Sequence, residues 1–175
     1  MIENFPIHIE NSEIELLHKK IELTRWPDEV NDKKWSHGTS LKFMKSVADY
    51  WVNDFDWRHH ENSLNKIGSY KFQTSSGLKI HFLHSPSDNP NAIPLLMTHG
   101  WPGSIQEFLK IIPILKNNPE VDFHIVCPSL VGFGFSDKAS APGMSSEEIA
   151  KLEHELMLEL GYDKYVCLLY TSDAA

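Results

Sequence analysis

Basic residues are in short supply in this sequence. Sixteen Lys and Arg stand against 24 Asp and Glu, a net charge of −8 over 175 residues. With no Lys/Arg cluster to offset that balance, nucleic acid is excluded as a partner, since its binding rests on basic side chains neutralising phosphates. Cysteine is scarcer still. Cys127 and Cys167 sit in apolar runs without metal-ligand spacing, which predicts buried thiols in a reducing compartment rather than a disulfide or a metal site. No apolar run approaches the ~20 residues that span a bilayer, so no membrane anchor is expected. The opening Met1-Ile2-Glu3-Asn4-Phe5-Pro6 lacks the basic-then-apolar order of a signal peptide, and a soluble cytoplasmic protein is the expectation. What is present, 41% hydrophobic and 23% charged residues, is the balance of a globular domain with a real core.

Two periodicities divide the chain. Residues 1–68 read as a helical arm. Ser12 and Glu15 have the spacing of a capping box, with Ser12 as the N-cap, followed by Ile14, Leu17 and Ile21 at helical intervals up to Pro27. A second helix follows Ser40, with Leu41, Met44, Ala48, Trp51 and Phe55 as its expected buried stripe. A third carries Trp57, Leu64 and Ile67 and stops at Gly68. No Gly/Ser linker follows, so the arm is expected to pack on what comes next.

From residue 69 to 166 the pattern is α/β. Tyr70-Lys71-Phe72-Gln73-Thr74 and Leu78-Lys79-Ile80-His81-Phe82 alternate around Ser75-Ser76-Gly77, a β-hairpin. Ile93-Pro94-Leu95-Leu96-Met97 and Phe123-His124-Ile125-Val126-Cys127 are short continuous apolar runs, as strands buried on both faces should be. A helical pattern through Phe108, Leu109, Ile112 and Leu115 lies between them. After the loop Gly132-Phe133-Gly134-Phe135-Ser136, a helix capped by Ser145 or Ser146 carries Ile149, Leu152, Leu156 and Leu160 to Gly161. A last strand begins at Lys164-Tyr165-Val166. Strand–helix–strand–helix–strand predicts a parallel sheet with right-handed crossovers.

The stretch that carries chemistry is His99-Gly100-Trp101-Pro102-Gly103, directly after a buried strand. Open α/β sheets place ligands at the carboxyl ends of their strands, and small residues there leave backbone N–H groups free to meet a developing oxyanion. The candidate donor is the backbone N–H of Trp101, because Pro102 has none. A turn whose glycines merely let the chain bend is the competing reading. His99 is read as a hydrogen-bonded structural histidine.

This motif, with Phe108 and Ile112-Pro113 behind it, resembles the microsomal-type epoxide hydrolases, including the insect juvenile-hormone enzymes. Phe5-Pro6-Ile7, Asp54-Phe55-Asp56-Trp57-Arg58 with Leu64-Asn65, Ile80-His81-Phe82 with His84, and Cys127-Pro128-Ser129-Leu130 leading into Gly132-Phe133-Gly134-Phe135-Ser136 agree with that family in order. The resemblance implies the first part of an α/β-hydrolase fold, with the family's N-terminal unit extending to about residue 112. It also implies a mechanism. A carboxylate opens a small-molecule epoxide to an enzyme ester, and a His–acid pair activates the water that releases a diol. Two lid tyrosines protonate the opening ring, and neither cofactor nor metal is called for. Detoxification of aryl or alkyl epoxides and turnover of one endogenous epoxide are both open.

The family's Gly-Gly-Asp-Trp-Gly nucleophile elbow should follow Val166 within a few residues. Instead residues 167–175, from Cys167 to Ala175, resemble the translation of a transposase adapter used in sequencing libraries, and are read as a non-native tail. Asp173 falls about two residues late and lacks flanking glycine. The nucleophile, catalytic His and acid are therefore expected to be absent, and the chain inactive alone. An esterase with a Ser nucleophile or a dehalogenase is one alternative, against which the three N-terminal helices count; a non-catalytic binding module is another. The codons after Val166 discriminate among them.

Overall fold

A computed structural model describes residues 1–30 and 35–169. The chain forms two compact units, one of His8–Glu61 and the other of Met1–Ile7 with the chain from Asn62 onward. Among the described residues no helix is long and apolar enough to cross a membrane.

The smaller unit holds α1 (Asn11–Glu22), α2 (Leu41–Asn53) and the start of α3 (Trp57–Ile67). Ser40 caps α2 by accepting the Phe43 N–H at 3.2 Å, as its spacing predicts. Ser12 does not cap α1. The N-cap is Glu10, without a side-chain bond. Contacts distant in sequence fix this start instead, because Glu61 takes the Ile9 N–H at 2.7 Å and Arg58 donates to Asn11 Oδ1. The expected buried stripe of α2 is also corrected. None of its residues is buried, and Met44 and Trp51 are exposed. A unit this small has too little interior to enclose an apolar face. Ile9, Ile14, Leu17, Trp51, Phe55 and Trp57 line an open cleft of about 190 Å³.

The larger unit is built on a six-stranded sheet. Its strands are β1 (Ile2–Asn4), β2 (Ser69–Gln73), β3 (Lys79–Ser85), β4 (Ile93–Thr98), β5 (Phe123–Pro128) and β6 (Val166–Leu169), in the order β1-β2-β3-β5-β4-β6. β1 to β3 form an antiparallel meander, β3 pairs antiparallel with β5, and β4 pairs parallel with both β5 and β6. The hairpin and the three parallel strands match the sequence expectation; β1 was not anticipated, since three residues before a proline show no period. Gly68 ends α3 at φ +107°, where a Cβ would lie 2.7 Å from the His84 carbonyl, so both conformation and space require glycine.

Helices cover both faces of the sheet. The helical pattern after β4 is broken into a 3₁₀ turn (Ile105–Phe108) and α4 (Ile111–Lys116). Pro113 explains the break: it lacks an N–H for the Leu109 carbonyl and fits only in a first turn. Ile105, Phe108 and Ile112 pack with Leu95, Met97, Ile125 and Cys127 on one face. On the other face, α5 (Ser146–Glu159), capped by Ser145, sets Leu156 and Met157 against Phe72, Phe82, Leu96 and Val126. Cys127 is buried as expected and burial pushes its thiol up to about 12. Cys167 is exposed on the edge strand β6, which corrects the expectation of a buried thiol there. β6 includes Cys167, Leu168 and Leu169 of the stretch read as foreign. Asp173 lies outside the described residues.

Candidate active site

β4 is flanked by β5 on one side and β6 on the other, and the crossovers through α4 and α5 lie on opposite faces. The carboxyl end of β4 is therefore where the winding direction of the sheet reverses, the position at which α/β sheets bind ligands. The motif begins there. Thr98 is the last residue of β4, and beyond it the Gly103 N–H donates to the Gly100 carbonyl at 2.8 Å, closing a tight turn. The Trp101–Pro102 peptide within that turn is cis. A Cβ on Gly103 would overlap the Glu107 carboxylate and lie 2.8 Å from the Gly100 carbonyl. That carboxylate is itself committed, accepting the Ser104 N–H at 3.1 Å as the 3₁₀ turn begins.

The Trp101 N–H has no hydrogen-bond partner among the described residues, and β4 makes its last parallel pairing at Thr98. An unpaired amide is tolerated where solvent reaches it, and Trp101 is 70% exposed. Trp101 and Pro102 thus lie at the surface, while His99 and Gly100 stay buried beneath them.

His99 is fully buried and both its ring nitrogens are engaged. Nε2 accepts the Leu130 N–H at 3.1 Å, so the proton sits on Nδ1 and is donated to the Gly100 carbonyl at 3.0 Å. The ring packs edge-on against Phe133. His99 therefore ties the exit of β4 to the exit of β5 and has no nitrogen left to take a proton from water.

The β5 exit is clamped by a second buried histidine. Ser69 Oγ donates to the Phe5 carbonyl at 2.6 Å, which leaves it to accept from His81 Nε2 at 3.1 Å; His81 Nδ1 then accepts from Ser129 Oγ at 2.9 Å. Ser136 Oγ accepts the His81 N–H and donates to the Ser129 carbonyl. Burial, with Lys71 nearby, lowers the His81 pKa to about 4. At Gly134, φ is +51° and a Cβ would stand 2.8 Å from Ser129 Oγ, so this loop needs glycine beside the network.

One acid stands beneath the motif. Glu153 of α5 is 8% exposed, accepts from Thr98 Oγ1 at 2.9 Å through Oε2, and has no partner for Oε1. Burial raises its pKa to about 7, against the opposing effect of the Thr98 bond. Neither Glu153 nor the role of His81 was anticipated from sequence. The signal for Glu153 was available: Ile149, Glu153, Leu156 and Leu160 have the 4-3-4 spacing of one helical face, and an acid on that face stands out.

Comparison with known proteins decides the family. Residues 2–108 match the family described as Epoxide hydrolase N terminus, and residues 93–169 match the alpha/beta hydrolase fold. The chain belongs to the epoxide hydrolase family. It is 39% identical over 174 residues to epoxide hydrolase 1 of Sus scrofa, covering 94% of this chain and 38% of that protein. It is 36% identical to juvenile hormone epoxide hydrolase 1 of Ctenocephalides felis, covering 94% and 36%. The crystal structure of juvenile hormone epoxide hydrolase from the silkworm Bombyx mori superposes with a TM-score of 0.87 at 31% identity, over 97% of this chain and 46% of that one. The chain thus spans about two fifths of the length of the epoxide hydrolases it matches in sequence.

Proposed function

We propose that this chain supplies the helical arm and the oxyanion loop of an enzyme that hydrolyses small-molecule epoxides to diols. In that reaction a carboxylate oxygen attacks an epoxide carbon, the C–O bond breaks, and the ring oxygen takes a proton. The resulting ester is attacked at its carbonyl carbon by water that has lost a proton to a histidine. The Trp101 N–H donates to the oxyanion of the tetrahedral intermediate, which collapses to free carboxylate and diol. The observation that carries this reading is the unpaired Trp101 N–H at the carboxyl end of β4, in a chain of this family.

The same geometry limits what the described residues do alone. His99 is committed on both nitrogens, and Glu153 is buried with its carboxylate turned to Thr98. The nucleophile, the water-activating histidine and its acid belong to residues beyond these. We read residues 167–175 as foreign to the parent enzyme and the parent as a cytoplasmic protein; the free Cys127 thiol supports the second point.

The test follows diol formation from styrene oxide by the 175-residue chain and by the product of the gene sequenced past codon 166. We expect no turnover by the first and multiple turnovers by the second. In the longer protein, Trp101→Pro, which removes the N–H, should lower kcat by about 10²-fold or more, as loss of an oxyanion donor does, while Trp101→Phe should leave most of it. Turnover by the short chain, or an undiminished kcat in Trp101→Pro, would overturn the proposal.

A further inference from the structure

Three features of Glu153 do not fit a purely structural side chain. It occupies the buried face of α5, where its neighbours at helical spacing are Ile149 and Leu156. Its Oε1 is buried without a hydrogen-bond partner, the one such side-chain atom among the described residues. And its Oε2 is bonded to Thr98, the residue that immediately precedes the oxyanion loop. An orphaned carboxyl oxygen at an apolar position costs stability. A leucine there would pack without that cost.

We propose that Glu153 is a positioning residue for the oxyanion loop: through Thr98 it holds the end of β4 in one of two states, set by whether its carboxyl carries a proton. This rests on the oxyanion reading of residues 99–103. In the protonated state Oε2 accepts from Thr98 as a neutral carbonyl and Oε1 carries the proton without an acceptor, at a smaller cost than a buried charge. In the ionised state the Thr98 bond becomes charge-assisted and shorter, and Oε1 must find a donor or admit water. Either adjustment is felt at Thr98, one peptide bond from His99.

The surroundings leave Glu153 free to switch. From the approach to β6 and from that strand, Tyr165 and Cys167 stand near it, and partial desolvation, with Glu153 adding to the effect, raises the pKa of both side chains. β4 contributes only the Thr98 hydroxyl. On α5 itself, the adjacent His154 turns to the Tyr165 hydroxyl at 2.8 Å. No cationic group is among the influences on Glu153, and burial raises its pKa to about 7.

The experiment is an NMR pH titration of the 175-residue chain, following the Glu153 side-chain carboxyl carbon and the backbone amides of Gly100, Trp101 and Gly103. We expect the amides to shift with the midpoint of the Glu153 carboxyl. In Glu153→Gln, which keeps the Thr98 bond, that transition should vanish from the amides, whatever nearby histidines contribute. In Thr98→Val the carboxyl should still titrate while the amides no longer follow it, and Thr98→Ser should restore the coupling. Amides that stay still as Glu153 titrates, or that titrate unchanged in Glu153→Gln, would overturn the proposal. Because the readout is a chemical shift rather than turnover, such a failure would leave the oxyanion reading standing. An active Trp101→Pro enzyme would sink that reading and leave the coupling intact.

Discussion

His99 Nε2 accepts the backbone N–H of Leu130 at 3.1 Å, so one imidazole joins the exits of two adjacent parallel strands. The ring is fully buried, and its Nδ1–H closes onto the Gly100 carbonyl at 3.0 Å. Replacing His99 with Ala strands the Leu130 N–H and opens a cavity against Phe133. We expect His99→Ala to cost about 2–4 kcal/mol in urea unfolding, the sum of an unsatisfied buried donor and lost packing. His99→Gln, whose carboxamide oxygen can reach the same amide, should recover part of that loss.

A second prediction concerns acid. His81 and His84 both have pKa values lowered to about 4, chiefly by burial. The unfolded chain binds protons at these rings from about pH 6.5 downward, before the folded chain does. Their neutral, folded-state contribution is therefore intact above about pH 6.5 and lost as pH falls towards 4. Thermal melts between pH 7 and pH 4 should show Tm falling through this window. His81→Phe should start lower at pH 7, having lost Ser69 and Ser129, but decline less steeply. A parallel decline in both proteins would show that His81 does not contribute.

How much of this was legible in the residues follows from what kind of signal each feature leaves. The parallel strands were readable because β4 and β5 are buried on both faces and so run apolar without interruption. The loop at 99–103 was readable because its turn requires small residues at fixed places, Gly103 above all. The start of α1 was not, since Glu61 and Arg58, some fifty positions away, decide it. The exposure of the α2 stripe was hidden for a related reason: periodicity shows which face is apolar, not whether anything covers it. His81 looked like any polar residue in an alternating strand, and only its pairing with Ser69 and Ser129 reveals a buried network.

Glu61 offers a test confined to the smaller unit. Burial alone would raise its pKa, but bonds from Ile9 N–H, Arg58 and Trp57 Nε1 outweigh that and lower it. Its contribution is thus present above the ordinary carboxylate range and lost as pH falls through the lowered value. Glu61→Ala leaves three donors without their acceptor. We expect a loss of about 3 kcal/mol, read as faster amide exchange across α1 relative to β3 and β5. Glu61→Gln should fall between the two. Unchanged exchange in Glu61→Ala would remove the clamp from the account of this unit.

The last prediction separates Glu153's cost from its use. Its pKa is raised from 4.5 to about 7 in the folded chain. The folded state therefore holds the proton more tightly, and the stability that goes with the neutral acid is fully present below about pH 4.5 and lost as pH rises through 7. Across that window the loss is on the order of 3 kcal/mol. Glu153→Leu has no proton to lose and leaves no orphaned oxygen, although Thr98 Oγ1 gives up its acceptor. We expect Glu153→Leu to match the parent chain near pH 4.5 and to exceed it by about 2 kcal/mol at pH 8, after allowing for the stranded hydroxyl. Denaturant midpoints at the two pH values measure the difference directly. A Glu153→Leu chain that is less stable at pH 8 would mean that the ionised carboxylate finds a stabilising partner on the folded protein, and that the acid is retained for the fold rather than at its expense.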